Sequence, residues 1–158
     1  MPAIRLALFE PDIATNTAAV IRLAACLDLP LEIIEPTGFV FDPHRLRRVA
    51  LDYLDRVELV RHPSLAAFER IRRAERRRLV LLTTQAPLGY TEAAFDPGDV
   101  LLAGRESAGV PPAVHALADL RVRIPIRPDC RSLNVAVALA IVASEARRQL
   151  GAAAAGMR

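Results

Sequence analysis

Hydrophobic and polar positions along the chain follow two different repeats. Short apolar runs rich in Val, Ile and Leu predict buried strands at 4–9, 31–35, 57–61, 79–83, 100–103 and 121–126. Between most of these runs, apolar residues recur at helical spacing, which predicts helices at 16–27, 43–51, 64–78, 111–117 and 133–150. Strands that alternate with helices are typical of an α/β domain with a mostly parallel sheet.

The length of 158 residues suits one domain, which we place at 1–150, followed by a flexible tail at 151–158. A chain of this size builds one core and has no room for a second large domain. The apolar run at 133–143 is about half of the roughly 20 residues that a membrane span needs. It predicts a buried helix, and we expect no membrane partner.

Cysteine and histidine usage predicts neither a disulfide scaffold nor a metal site. Cys26 falls on an apolar helix face and Cys130 in a loop, and no His, Cys and Asp residues have metal-ligand spacing. His44, His62 and His115 lie at loop edges or on a short helix, where surface positions are expected. We therefore expect a protein of the reduced cytoplasm that binds no metal.

The segment from Ile124 to Ala138 carries the strongest local signal. A strand-like run enters a loop with Pro and Arg, and Ser132-Leu133-Asn134 then opens a long apolar helix. Unpaired N–H groups at a helix start need acceptors, and Ser or Asn either caps them or faces a substrate. Taken alone, the segment favours a simple cap on a core helix.

A second segment, from Leu101 to Pro111, runs from an apolar strand into G-x-E-x-x-G, at Gly104, Glu106 and Gly109. Glycines there let the backbone approach a ligand or adopt positive φ. The alternative is that these glycines only form an ordinary turn.

The third segment places Asn16 on the first turn of the first helix and Arg22 six residues further along, so both could border one cleft.

Together these segments resemble the SPOUT superfamily of RNA methyltransferases, in the branch that methylates ribose 2′-hydroxyls. The resemblance is strongest to the tRNA (cytidine/uridine-34-2′-O)-methyltransferases and covers nearly the whole chain. It includes L-F-E-P-x-I-x-x-N-T at the start, R-L-R-R-x-x-L-D-Y from Arg45 to Tyr53, and I-P-x-x-P-D-x-R-S-L-N. Departures from the family pattern are Ala18 for Gly, Arg105 and Ala108 for Pro and Arg, Cys130 for Ser, and Ser144 for Tyr.

The resemblance implies a fold that periodicity alone does not predict. An ordinary doubly wound, unknotted sheet is the usual outcome for such a pattern. Members of the family instead form a C-terminal trefoil knot, here spanning roughly residues 79–134, whose loops hold S-adenosylmethionine. The expected fold is therefore a single-domain SPOUT-type α/β knot with a mostly parallel sheet.

The resemblance also implies roles for the motif residues in methylation of the wobble pyrimidine of tRNA, C34 or U34. Arg22 acts on the 2′-hydroxyl, Asn16 and Glu106 orient the ribose and the loops, and Asn134 shapes the pocket edge. The cofactor is implied to contact Leu82, Gly104, Ile124, Ser132 and Leu133. In the family the counterpart of Arg22 has been regarded as a general base, but a guanidinium stays protonated, so we favour a charged Arg22 that stabilises the oxyanion.

Basic residues provide the expected contacts to the anticodon loop. The net charge is +3, and all 21 basic residues are Arg, whose planar fork suits phosphates. Arg45, Arg47 and Arg48 fall in a stretch that matches the family, and either RNA contact or simple solvation explains them. The run at 70–78 favours the solvated face of a helix.

A homodimer is expected because the family builds its RNA surface from two subunits.

The motifs also fit other functions. A 2′-O-methyltransferase acting on another tRNA or rRNA position, or an RNA-binding relative without activity, would share these motifs. A dinucleotide-binding protein is disfavoured, because no G-x-G-x-x-G follows the first strand.

Overall fold

A computed structural model describes residues 4–151 and contains a seven-stranded sheet in which every pairing is parallel. The strand order is β3-β2-β1-β6-β4-β7-β5. The strands are β1 (Arg5–Phe9), β2 (Leu31–Ile34), β3 (Leu59–His62), β4 (Leu79–Leu82), β5 (Leu88–Gly89), β6 (Val100–Ala103) and β7 (Leu120–Arg123). The predicted α/β class and mostly parallel sheet are confirmed.

Helices connect most of the strands: α1 (Ala14–Leu27), α2 (Pro43–Ala50), α3 (Leu65–Ala74), α4 (Pro112–Leu117) and α5 (Val135–Gln149). A 3₁₀ helix at Leu51–Arg56 continues α2. The structure adds this 3₁₀ helix and the two-residue β5 to the predicted elements. The helix expected at 64–78 ends at Ala74 and is followed by Arg76 at a φ of 54°.

Alternate residues of the central strands point to two apolar layers, one on each face of the sheet. On one face the strands pack against α1 and α5, through Leu6, Leu8, Ile21, Leu101 and Leu139. On the other face they pack against α3 and α4, through Phe9, Phe68, Leu81, Leu102 and Val114. The sheet is therefore buried on both faces, and its carboxyl edge is left for loops.

Two sequence predictions about polar residues were wrong. His62, expected at the surface, is only 2% exposed, and its Nε2 lies 2.7 Å from a carboxylate oxygen of the buried Glu32. Arg72, expected on a solvated helix face, is 6% exposed. Both side chains are buried because a carboxylate compensates for the loss of water.

Two further expectations stay predictions. The chain crosses from β4 to β6, back to β7 and then to α5, an order consistent with the knot expected at 79–134. Of the tail expected at 151–158, only Gly151 lies within the described residues.

Candidate active site

A cavity of about 610 Å³ lies where β4, β6 and β7 end. These strands are neighbours in the sheet, so the segments that leave them meet at one edge. Asn16 of α1 and residues from the start of α5 complete the lining. Ligands of open parallel sheets bind outside the carboxyl ends of the strands, and this volume is within the range of small-molecule sites.

Every residue expected to contact the cofactor lines this cavity: Leu82, Gly104, Ile124, Ser132 and Leu133. Apolar side chains such as Val122 and Ile126 share the walls with polar groups. Sequence motifs that are far apart in the chain are thus brought together. Their contact with a cofactor remains a prediction.

The loop between β6 and α4 is closed by a pair of backbone hydrogen bonds. Arg105 donates its N–H to the carbonyl of Gly109 at 3.0 Å, and Gly109 donates to that of Arg105 at 2.9 Å. A Cβ at Gly104 would lie 2.6 Å from the carbonyl carbon of Gly109, and Gly109 has a φ of +61°. Both glycines are therefore required for this tight loop.

Asn134 joins the starts of α5 and α1. Its Oδ1 caps α5 by accepting from the N–H groups of Ala136 at 2.9 Å and Val137 at 3.3 Å. Its Nδ2 donates to Oδ1 of Asn16 at 2.9 Å. The capping function and a place in the cavity are therefore combined in one side chain, whereas Ser132 lines the cavity without capping the helix.

Glu106 is held by Asp12, in the loop after β1. The N–H of Asp12 donates to Oε2 of Glu106 at 3.2 Å, and the N–H of Glu106 donates to Oδ1 of Asp12 at 3.2 Å. The hydroxyl of Ser107 donates to the other oxygen of Asp12. Oε1 of Glu106 is buried and has no hydrogen-bond partner among the described residues.

These contacts shift the two carboxyl groups in opposite directions. Burial raises the pKa of Glu106, and the side chain of Asp12 raises it further. Contact with the side chain of Glu106, and then the Ser107 hydroxyl, lowers the pKa of Asp12. A proton is therefore favoured on Glu106 and disfavoured on Asp12. Sequence reasoning missed Asp12 because nothing in its spacing shows that β1 lies beside β6.

Arg22 lies outside the set of residues that line the cavity. It is exposed on α1, about 9 Å along the helix axis from Asn16, as expected for six residues. Its guanidinium carbon is 5.0 Å from the ring centroid of Tyr53. Among residues 4–151 no carboxylate pairs with it, which leaves its charge available.

The arginines expected to contact RNA are all exposed on α2, which packs against α1. Arg47 pairs with Asp55 at 2.6 Å, and Arg45 lies 3.7 Å from Asp42. Arg48 makes no ion pair within the described part of the chain. Arg131, which the sequence analysis did not select, lines the cavity and is likewise unpaired there.

Residues 4–151 lack two features that would point to other functions, a metal cluster and a membrane-spanning helix. No group of three or more His, Cys, Asp or Glu side chains in this range could hold a metal ion. None of the described helices is both long and apolar enough to cross a membrane. Cys26 and Cys130 are free and exposed.

Comparison with known proteins agrees with this geometry. Residues 3–144 match the model of the SpoU rRNA Methylase family. The chain belongs to this family. It is also 56% identical, over 94% of its length and 93% of the relative's, to a tRNA (cytidine(34)-2′-O)-methyltransferase of Beijerinckia indica.

Solved structures support the SpoU assignment. One, described as giving structural insights into the 2-OH methylation of C/U34 on tRNA, has a TM-score of 0.88 and 39% identity, with 96% of this chain and 98% of that one covered. Another is the SpoU methyltransferase AviRb from Streptomyces viridochromogenes with its cofactor AdoMet, S-adenosylmethionine. It has a TM-score of 0.86 and 27% identity, with 95% of this chain and 61% of that one covered.

Proposed function

We propose that this protein transfers the methyl group of S-adenosylmethionine to the ribose 2′-hydroxyl of the wobble pyrimidine, C34 or U34, in tRNA. The observation that carries the proposal is the cavity at the carboxyl edge of the sheet. It joins Asn16, Glu106 and Asn134 in a chain whose whole length is similar to enzymes named for this reaction.

The residues around the cavity fit S-adenosylmethionine. The volume suits a nucleoside-sized ligand, and the walls combine apolar side chains with backbone groups at the ends of three strands. The buried, unpartnered Oε1 of Glu106 offers a hydrogen-bonding atom for a ligand hydroxyl. Leu82, Gly104, Ile124, Ser132 and Leu133 would hold the cofactor, which supplies an electrophilic methyl group.

Methyl transfer to a hydroxyl requires alignment of the two reacting centres and stabilisation of an alkoxide-like oxygen. Asn16 and Asn134 already hold each other by a hydrogen bond, so their remaining amide groups are oriented for a ribose. Glu106 also lines the cavity and is held by Asp12. These hydrogen bonds would preorganise the groups for the substrate.

Arg22 provides positive charge rather than a base in this mechanism. A guanidinium remains protonated at neutral pH, so it stabilises the developing oxyanion and binds the neighbouring phosphate, while the proton leaves to water or phosphate. Because Arg22 lies outside the cavity, it meets the RNA from the side of α1 and α2. Arg48 on α2, which packs against α1, and Arg131 at the cavity add unpaired positive charge to the proposed RNA path, and Arg45 and Arg47 also lie on α2.

We also propose a homodimer. Three large apolar side chains, Ile13, Leu133 and Val137, are exposed at the adjoining starts of α1 and α5. Burial of this surface by a second copy would complete an RNA-binding surface that one small domain lacks. Sedimentation at micromolar concentration tests the dimer, and a monomer would contradict it. We further propose that the protein acts in the cytoplasm and that the reaction uses no metal.

The deciding experiment incubates purified protein and labelled S-adenosylmethionine with tRNA from a strain that lacks this gene. The methyl group is mapped by nuclease digestion and mass spectrometry, and we expect it on the ribose of C34 or U34. Label at another tRNA position or in ribosomal RNA would contradict the substrate but keep the reaction class. Absence of label from every RNA would favour an inert RNA-binding relative.

Calorimetry separates the remaining class of function. We expect binding of S-adenosylmethionine and S-adenosylhomocysteine and no binding of NAD. A preference for NAD would favour a dinucleotide-binding protein instead.

A further inference from the structure

Two loops beside the cavity are fastened together by side chains that the proposed chemistry does not use. Asp12 exchanges hydrogen bonds with Glu106 and accepts another from Ser107. Nearby, Nη2 of Arg105 lies 2.9 Å from Oε2 of Glu10. The loop after β1 and the Gly104–Gly109 loop after β6 are therefore connected at two points, only one of which includes Glu106.

The loop after β2 packs against the backbone at Asp12. The N–H of Gly38, in the loop after β2, donates to the carbonyl of Pro11 at 2.9 Å. A Cβ on Gly38 would lie 2.7 Å from the Cβ of Asp12, so no larger residue fits there without displacing Asp12. The backbone beside Asp12 is thus held by a hydrogen bond and by close packing, which is what a positioning group requires.

We propose that Asp12 is a positioning residue that acts through Glu106, holding its backbone and Oε2 so that Oε1 stays free for a ligand hydroxyl in the cavity. The inference rests on the proposed S-adenosylmethionine site. Oε2 and the N–H of Glu106 are both used by Asp12, whereas Oε1 is buried without a partner in the described part of the chain. A buried polar atom of this kind needs a partner, which a ligand hydroxyl in the cavity would provide.

The test is a double-mutant cycle measured by calorimetry with S-adenosylhomocysteine, without catalysis. Asp12→Ala is expected to lower affinity about tenfold, close to the effect of Glu106→Gln. The double variant should be no weaker than Glu106→Gln alone, because a residue that acts only through Glu106 has nothing left to position. Asp12→Asn keeps an acceptor for the N–H of Glu106 and should recover about half of the logarithmic loss.

Glu10→Ala is the matched control, because it removes the other connection between the same loops and leaves Glu106 untouched. It should change affinity less than about twofold. Equal losses in Glu10→Ala and Asp12→Ala, or additive losses in the cycle, would overturn the positioning role in favour of general loop stabilisation. Wild-type protein that fails to bind S-adenosylhomocysteine would instead overturn the proposed cofactor site.

Discussion

Arginine serves two different purposes in two regions of this molecule. At the α3–β4 junction, Arg72, Arg77 and Arg78 each donate to a nearby carboxylate. In the region formed by α1, α2 and the rim of the cavity, Arg22, Arg48 and Arg131 have no such partner among the described residues. A run of arginines in sequence therefore does not locate a binding surface. The absence of a paired carboxylate, combined with a position on α1, on α2 or at the cavity, is the more informative feature.

Arg72 illustrates the structural use. Its Nε lies 2.6 Å from Oε1 of Glu69, and its Nη1 lies 2.9 Å from Oδ2 of Asp119 and 2.5 Å from the carbonyl of Arg77. Asp119 in turn accepts from the N–H of Leu79 at 2.7 Å, which ties the network to the first residue of β4. The charge is thus used within the fold and is not offered to RNA.

Replacement of Arg22 should have the largest effect, a loss of methylation. Arg22→Ala and Arg22→Lys should both abolish methylation, a loss on the order of a thousandfold, because neither replacement reproduces the planar guanidinium. Affinity for S-adenosylmethionine should stay nearly unchanged, since Arg22 lies outside the cavity. Single-turnover kinetics and calorimetry measure the two quantities. A comparable loss of cofactor binding would remove Arg22 from the chemical step.

Arg72→Met tests the other region and should lower the free energy of unfolding by about 3 kcal/mol, because the buried Glu69 would keep only the exposed Arg73 as a partner and Asp119 would lose its pair. Arg76→Gln is the control, since Arg76 is exposed at the same junction and makes no ion pair within residues 4–151. It should change stability by less than about 0.5 kcal/mol. Urea unfolding measures both, and equal effects would mean that burial of the guanidinium is unimportant.

The sequence predicted the sheet well because parallel strands buried on both faces read as apolar runs, as at Val100–Ala103. It did not predict β5, since two residues, Leu88 and Gly89, are too short to form a pattern. It placed the strand expected at 57–61 two residues early, because Val57 and Glu58 look extended but precede the ladder of β3. Periodicity detects burial more reliably than it detects the ends of elements.

Only some residues of the candidate site could be predicted from the sequence. Motif residues such as Gly104 and Asn134 were found because loops at a helix start or a strand end have a recognisable composition. Asp12 and Arg131 were missed because their significance depends on which strands are neighbours and on which carboxylates are absent nearby. Both are three-dimensional properties that no local spacing reveals.

Two carboxyl groups, Glu69 and Glu106, should contribute to stability with opposite dependence on pH. Burial opposes ionisation of Glu69, but hydrogen bonds and charges from Arg72 and Arg73 outweigh it and hold its pKa below the ordinary 4.5. Its contribution to stability is therefore present above pH 4.5 and lost as pH falls through the lowered pKa. The raised pKa of Glu106 has the reverse effect, a contribution present below pH 4.5 and lost as pH rises through the raised pKa.

Thermal unfolding measured from about pH 7 down to about pH 3 checks this contrast. Glu69→Gln should lower stability most at neutral pH and least in acid. Glu106→Gln, which imitates the protonated acid, should be relatively most stabilising at neutral pH. Parallel pH profiles for the two variants would show that the two carboxyl groups do not differ in environment.

The smallest expected effect concerns RNA binding by arginines that make no ion pair among the described residues. These arginines differ from one another only in position. Arg48→Gln and Arg131→Gln should each weaken tRNA binding roughly fivefold and reduce the slope of log affinity against log salt by about one, as expected when one phosphate contact is lost. Arg76→Gln, at the α3–β4 junction, removes the same charge and should change neither quantity. Filter binding across a salt series measures all three variants. If Arg76→Gln weakened binding as much as the other two, RNA would be attracted by overall charge, and position on α2 or at the cavity would not mark the binding surface.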